Sequence, residues 1–247
     1  MTSVVVIPAR YGSSRFPGKP LADICGEPMI WHVYRRALRA EKAQDVIVAT
    51  DDERIFAEVS SRGGKCVMTP PDIRSGTDRV RHVASGKNWD VVINLQGDEP
   101  LIDPEIIDGL IELFEQDGAV QIATAAVWSS SFEDFMSPNV VKVVAGEGGS
   151  ALYFSRAPIP YYRDDDFRSF LRHIGIYAFR GAVLEETGKL RESLLEDTES
   201  LEQLRWMDYG YHIKVIPVDY EPVAVDTPID LEEVRKILLQ EDGFREA

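Results

Sequence analysis

The chain is 247 residues long and 44% hydrophobic, and it carries a net charge of −15 from 42 acidic and 27 basic side chains. That length suits one α/β domain with a full core, and so acidic a surface repels a nucleic-acid backbone and an anionic membrane, which argues against both as partners. Two cysteines, Cys25 and Cys66, show no metal-ligand spacing, so a disulfide framework is not expected and a reduced, cytoplasmic setting is.

Ser3–Ala9 (SVVVIPA) is a β-branched run that reads as a strand buried on both faces, the habit of a parallel sheet; it is far too short for a signal or a membrane span. Residues 28–40 have helical spacing, with Ile30, Val33, Tyr34, Ala37 and Leu38 on one side. Asp45–Thr50 is a second buried strand, followed by a helix that ends in glycine near residue 64. A short strand at 65–69, a helix started by Ser75, a strand over Trp89–Gln96 and a helix from Asp103 to Gln116 continue the alternation. Strands alternating with helices through residue 128 predict a doubly wound, mostly parallel, Rossmann-like sheet with ligands beyond the carboxyl ends of its strands. Beyond 128 the runs 139–145, 150–155 and 170–180 read as strands without crossover helices, which predicts an antiparallel insertion at about 129–180 within a single domain. Helices near 181–190 and 198–209, a strand at 212–218 and a closing helix at 227–240 complete the chain.

The loop RYGSSRFPGKP (10–20) follows the first strand. It is not a P-loop: five residues separate Gly12 from Gly18, and Pro20 stands where that loop needs Ser or Thr. It also lacks G-x-G-x-x-G, which argues against a dinucleotide. Backbone N–H groups around Gly12–Ser14, with Arg10, Arg15 and Lys19, suit a triphosphate whose leaving pyrophosphate gathers charge, with a tight Gly/Pro loop and solvated cations as the alternative. Pro20 offers no hydroxyl, so a metal would need other ligands. Asp98, just past the fourth strand, is one candidate, because Mg²⁺ takes one or two carboxylates with phosphate oxygens and water. Asp226, between the last strand and last helix, is the other, with helix capping by Asp226 or Thr227 as the equal alternative. His173, Gly175 and Tyr177 share one face of a strand, which suits either a polar-lined pocket or ordinary core. Glu202 and Gln203 read as the solvated side of an amphipathic helix. His32 and His82 fall in helices and read as packed or solvated.

VVVIPARYGSSRFPGKPL, ATDDERI, SGTDR, NLQGDEPLI, NVVKVV, ALYFSRAPIPY, HIGIYAFR, ESLEQLR and VDTPIDLEEVR occur in this order along nearly the whole chain. Together they closely resemble the sugar nucleotidyltransferases that activate 3-deoxy-manno-octulosonate (Kdo) with CTP, the 3-deoxy-manno-octulosonate cytidylyltransferase family. The resemblance implies a Mg²⁺-dependent transfer of CMP from CTP to the anomeric hydroxyl of Kdo, giving CMP-Kdo and pyrophosphate for lipopolysaccharide synthesis. It implies that Pro8, Ala9, Arg10, Arg15, Lys19, Ser75, Gly76 and Asp98 bind the nucleotide, and that Asp98 and Asp226 hold Mg²⁺. Lys19, Arg10, Asp98 and Asp226 would then carry catalysis. Gln96, Arg156, His173, Tyr177, Glu202 and Gln203 would surround the sugar acid, moving His173 and Tyr177 from core towards pocket and Glu202 from solvent towards ligand. A homodimer through the antiparallel region is expected on the same basis. KLRESLLEDTES and Ala224 depart from the family pattern near the sugar side, so the 8-amino analogue of Kdo stands beside Kdo as a candidate acceptor. A CTP-dependent enzyme acting on sialic acid should lack ALYFSRAPIP and ESLEQLR, and a non-catalytic nucleotide-binding module would have no use for the Asp98 and Asp226 pair.

Overall fold

Ser3–Ala9 forms β1, buried along its length in the middle of the sheet, in a computed structural model that describes residues 1–12, 16–164 and 166–243, with side chains to 240. The chain continues through a small hairpin of β2 (Asp23–Ile24) and β3 (Glu27–Pro28), then α1 (Met29–Ala37), β4 (Asp45–Thr50), α2 (Glu53–Ser61), β5 (Cys66–Met68), α3 (Gly76–Ala84), β6 (Val91–Asn94) and α4 (Pro104–Gln116). It goes on through β7 (Ile122–Ser129), α5 (Phe132–Met136), β8 (Lys142–Ala145), β9 (Ala151–Ser155), β10 (Phe170–Arg180), α6 (Gly181–Thr187), α7 (Leu194–Glu199), α8 (Glu202–Asp208), β11 (Ile213–Pro217) and α9 (Pro228–Gly243). Nine of the described strands make one sheet, ordered β11-β7-β10-β6-β1-β4-β5, with β8 beside one end of β10 and β9 beside β8. β1 pairs in parallel with β4 and β6, β4 with β5, and β7 with β11. β10 runs antiparallel between β6 and β7, so the expected mostly parallel, doubly wound class carries an antiparallel strand inside the sheet as well as the β8–β9 pair.

Alternation along β1 sends Val5, Ile7 and Ala9 to one face, with α1, α2 and α4, and Val4 and Val6 to the other, with α3, α6 and α8. A third, smaller cluster seats α9 (Leu231, Val234, Leu238) and Val225 on Ile24, Met29 and Leu101. The chain winds outward from β1 through β4 to β5, then returns to β6 on the other side of β1. The switch point therefore lies between β1 and β6, where the loops after Ala9 and Asn94 leave the sheet side by side.

Several boundaries differ from the sequence reading. α1 stops at Ala37, so Leu38 is half exposed and not on the inner side. β7 is a full strand that the alternation through residue 128 does not single out. The helix expected at 198–209 is two, α7 and α8, broken at Ser200 in the left-handed region (φ 51°). The break resets the helical phase, which buries Gln203 and half-buries Glu202 where continuous spacing put both in solvent.

Candidate functional site

The two loops at the switch point are held together by close backbone packing. A Cβ on Gly97 would stand 3.0 Å from the Pro8 carbonyl oxygen, and one on Gly76 would stand 3.3 Å from Pro8 Cγ. A side chain at either position would force the β6 loop or the start of α3 a few tenths of an ångström away from the end of β1. Ser75 caps α3 by accepting from the Asp78 N–H at 2.9 Å, so Ser75 and Gly76 sit beside Pro8 and the buried Ala9. The Arg10 guanidinium donates to the Ile73 carbonyl, and burial and then the neighbouring Arg79 charge lower its pKa. Arg79, fully buried, donates to Thr69 and to Asp51 at 2.8 Å, which holds the 69–73 loop against α3. Arg15 lies outside the described residues.

Lys19 reaches across this edge. Its Nζ donates to Asp98 Oδ2 and to the Val225 carbonyl, each at 2.8 Å, and stands 3.5 Å from Asp226 Oδ1. Two aspartates 128 positions apart thus converge on one ammonium. Asp226 is placed by its neighbours: Val225 is fully buried, and its N–H donates to the Asp98 carbonyl at 2.9 Å. Capping of α9 falls to others. The Asp230 carboxylate accepts from the Asp226 and Thr227 N–H groups at 2.9 and 2.7 Å, and the Thr227 hydroxyl accepts from Asp230 N–H at 3.4 Å. The Asp226 carboxylate faces Lys19. Behind Asp98, Glu99 is buried with one carboxyl oxygen lacking a partner, and burial, reinforced by Asp98 and Asp226, pushes its pKa up to about 8.

Among the described residues no group of three or more His, Cys, Asp or Glu side chains forms a metal cage. A Mg²⁺ that brings phosphate oxygens and water asks for less. Two carboxylates already gathered around one positive charge, at the ligand-binding edge of the sheet, fit that ion.

The residues assigned to the sugar lie on the other side of Gly76. Gln96 donates from Nε2 to Asn94 Oδ1 at 3.1 Å, and its Cγ would be 3.7 Å from a Cβ on Gly175. In β10 a two-residue bulge, Gly175 and Ile176, keeps His173 and Tyr177 on one face, ring centroids 5.3 Å apart. Thr124 anchors the bulge, donating to the Ile176 carbonyl at 2.7 Å, and also contacts His173 Nε2 at 3.0 Å. Burial holds His173 neutral, its pKa down to about 3. Tyr177 is buried, its hydroxyl has no hydrogen-bond partner, and loss of solvation, with the Glu202 charge nearby, raises its pKa. Glu202 joins the same group: it accepts from Thr77 at 2.5 Å and from Arg205 at 3.1 Å, and burial raises its pKa. A cavity of about 440 Å³ opens alongside, between Arg74, Asp78, Glu192, Glu196, Glu202 and Arg205.

Arg156 and Gln203 stand differently. Arg156 donates to the carbonyls of Glu199, Pro138 and Ser200 at 2.8, 3.0 and 3.3 Å, tying the end of β9 to the turn before Glu202. Gln203 is buried on α8. The residues near the site that the sequence does not single out are Thr77, Asn94 and Arg205. Asn94 carries a signal, as a lone polar residue inside the apolar run VVINL, and Thr77 lies inside SGTDR next to Ser75 and Gly76.

The description "Cytidylyltransferase" belongs to the family model that matches residues 4–215. The 3-deoxy-manno-octulosonate cytidylyltransferase of Geotalea uraniireducens (strain Rf4) is 46% identical over 245 residues, covering 95% of this chain and 98% of the relative. The protein of the same name from Escherichia coli is 48% identical, covering 97% of each. A solved structure of CMP:2-keto-3-deoxy-manno-octonic acid synthetase complexed with CTP superposes with a TM-score of 0.93 at 48% identity, covering 98% of this chain and all of that one.

Proposed function

The chain belongs to the cytidylyltransferase family, among the 3-deoxy-manno-octulosonate cytidylyltransferases, and on that footing we propose that it transfers CMP from CTP to the anomeric hydroxyl of Kdo. The single observation that carries the reading is the meeting of Lys19, Asp98 and Asp226 at the switch point of the sheet, beside the loop that starts at Arg10.

In the reaction the sugar's anomeric oxygen forms a bond to the α-phosphorus, the bond to the β-phosphate oxygen breaks, and pyrophosphate departs with the electron pair. The hydroxyl's proton is lost in the process. Positioning and charge neutralisation supply most of such a rate enhancement. Pro8, Ala9, Arg10, Ser75 and Gly76 form the wall against which the nucleotide lies. Lys19 and Arg10 draw charge onto the departing pyrophosphate. Asp98 and Asp226 are the residues that hold Mg²⁺. When bound, that ion neutralises phosphate charge and lowers the pKa of the attacking hydroxyl. Gln96, His173, Tyr177 and Glu202 orient the sugar, and the unpartnered Tyr177 hydroxyl is a buried polar group that a bound sugar can satisfy.

A second reading has one observation in its favour. The cavity beside Glu202 is lined by Asp78, Glu192, Glu196 and Asp197 as well, and this acid-rich wall suits an ammonium such as the 8-amino group of the Kdo analogue. Pyrophosphate release from CTP and Mg²⁺, measured with Kdo and with its 8-amino analogue, separates the two. Release with neither acceptor would refute the transferase reading itself. The product would enter lipopolysaccharide synthesis from the cytoplasm. No described helix is long and apolar enough to cross a membrane. Exposed Trp128, Phe132, Met136, Leu152 and Tyr161 around the antiparallel strands support a homodimer through that region, which sedimentation would read directly.

A further inference from the structure

A chain of four side chains crosses from the end of β6 to the start of α8. Gln96 Nε2 donates to Asn94 Oδ1 at 3.1 Å, Asn94 Nδ2 donates to Thr77 Oγ1 at 3.1 Å, and Thr77 Oγ1 donates to Glu202 Oε2 at 2.5 Å. Asn94 and Thr77 are buried, whereas Gln96 and Glu202, at the two ends, keep contact with solvent. The other Glu202 oxygen accepts from Arg205, which also holds Glu196 at 2.8 Å.

We infer that Thr77 and Asn94 are positioning residues for the sugar acid, which lock Gln96 and Glu202 in one relative placement and make Gln96 direct its carbonyl oxygen over Gly76 towards the ligand. The inference rests on the sugar side of the proposed function. Its direction follows from counting hydrogens. A carboxylate only accepts, so the one hydrogen of the Thr77 hydroxyl goes to Glu202. Thr77 can then only accept from Asn94, which must turn its NH₂ that way and its oxygen towards Gln96. Gln96 spends an N–H on that oxygen, and its Oε1 is left over Gly76, 3.7 Å from where a Cβ would stand. An acceptor so aimed selects a hydroxyl of the sugar. Thr77 follows Ser75 and Gly76 in the first turn of α3, so the same turn that lies beside Pro8 on the nucleotide side carries the anchor for the sugar side.

The test compares wild type with Thr77→Val, which keeps the shape and removes the hydroxyl, and Thr77→Ser, which keeps the hydroxyl and removes the methyl, and repeats the Val substitution in a Glu202→Gln background. Initial rates of pyrophosphate release are measured with CTP and Kdo, each varied in turn. Thr77→Val frees both amides to rotate and leaves Glu202 Oε2 without the Thr77 donor, while Oε1 keeps Arg205. The KM for Kdo should rise about tenfold, the worth of one hydrogen bond to a charged group, while the KM for CTP stays at the wild-type value. Thr77→Ser should restore the KM for Kdo even if its melting temperature is lower, because the methyl serves packing and the hydroxyl serves orientation. In a Glu202→Gln background the Val substitution should add less than it does alone, since the two residues share one bond. Equal rises in both KM values, or a Ser variant as impaired as the Val variant, would overturn the inference and reduce Thr77 to a structural role. A wild-type protein without turnover on Kdo or its 8-amino analogue would instead overturn the proposed function, and this inference with it.

Discussion

Lys19→Met tests the centre of the site without removing any of its carboxylates. The contacts of Lys19 with Asp98 and Asp226, at 2.8 and 3.5 Å, bound the separation of those two oxygens. At a separation of about 6 Å, two like charges repel by about 0.7 kcal/mol in water and about 3 kcal/mol at the effective dielectric of a protein surface. The Asp226 side chain is 52% exposed and that of Asp98 30%, so screening keeps the cost near the lower figure. The stranded Val225 carbonyl adds about 1 kcal/mol. Together these predict a loss of about 1–2 kcal/mol, and at about 2–4 °C for each kcal/mol in a chain of this length the melting temperature should fall by about 2–8 °C. Methionine fills the stem's volume, which separates the lost charge from lost packing. Thermal unfolding followed by circular dichroism, without nucleotide, reads the shift. Millimolar Mg²⁺ should recover stability in the variant more than in wild type, because the tethered ammonium no longer competes for the two carboxylates. If variant and wild type melt together and respond alike to Mg²⁺, the carboxylates do not form the electrostatic pair described.

Asp98→Asn should abolish pyrophosphate release while CTP binding, measured by calorimetry, persists; near-normal release would remove Asp98 from the chemistry. Gly97→Ala places a Cβ 3.0 Å from the Pro8 carbonyl and 3.4 Å from Ile30 Cδ1, so the β6 loop or Pro8 must give way. It should cost about 1–3 kcal/mol in urea unfolding, and an unchanged midpoint would show that the β6 loop can shift. His173 supplies a pH signature. Its folded pKa of about 3 lies below the ordinary 6.5, so the unfolded chain takes up the proton first. The contribution of this group to stability is full above pH 6.5 and is lost as pH falls from there towards 3. His173→Gln, which can still bond to Thr124, should flatten that acid limb; parallel acid-denaturation curves would place the acid sensitivity elsewhere.

Much of this was legible because the nucleotide side is built from local signals. A continuous β-branched run specified β1, and the glycines of the following loops marked where backbones meet. QGDEP and VDTP could be placed at strand ends from the alternation of elements alone. That Asp98 and Asp226 face one lysine was not legible, because it depends on Val225 being buried under α9 and on Asp230 taking over the cap. The sugar side was harder for a different reason. Glu202 and Gln203 were read with the periodicity of an uninterrupted helix, and a single left-handed residue at Ser200 turned that face inward. Nor does any period in the sequence announce a hydrogen-bond chain: Asn94 and Thr77 come from a strand and a helix and meet only in the folded protein.

The docking of α9 has a consequence for when this protein becomes competent. The lysine at position 19 and the carbonyl it holds at position 225 are 206 positions apart, and the helix that clamps the second of them is the last of the described elements. A chain whose central strands have assembled therefore lacks the Lys19–Val225 contact until α9 settles onto the β2–β3 hairpin. A cut near residue 220 that released α9 would remove the same contact while sparing the bulk of the sheet.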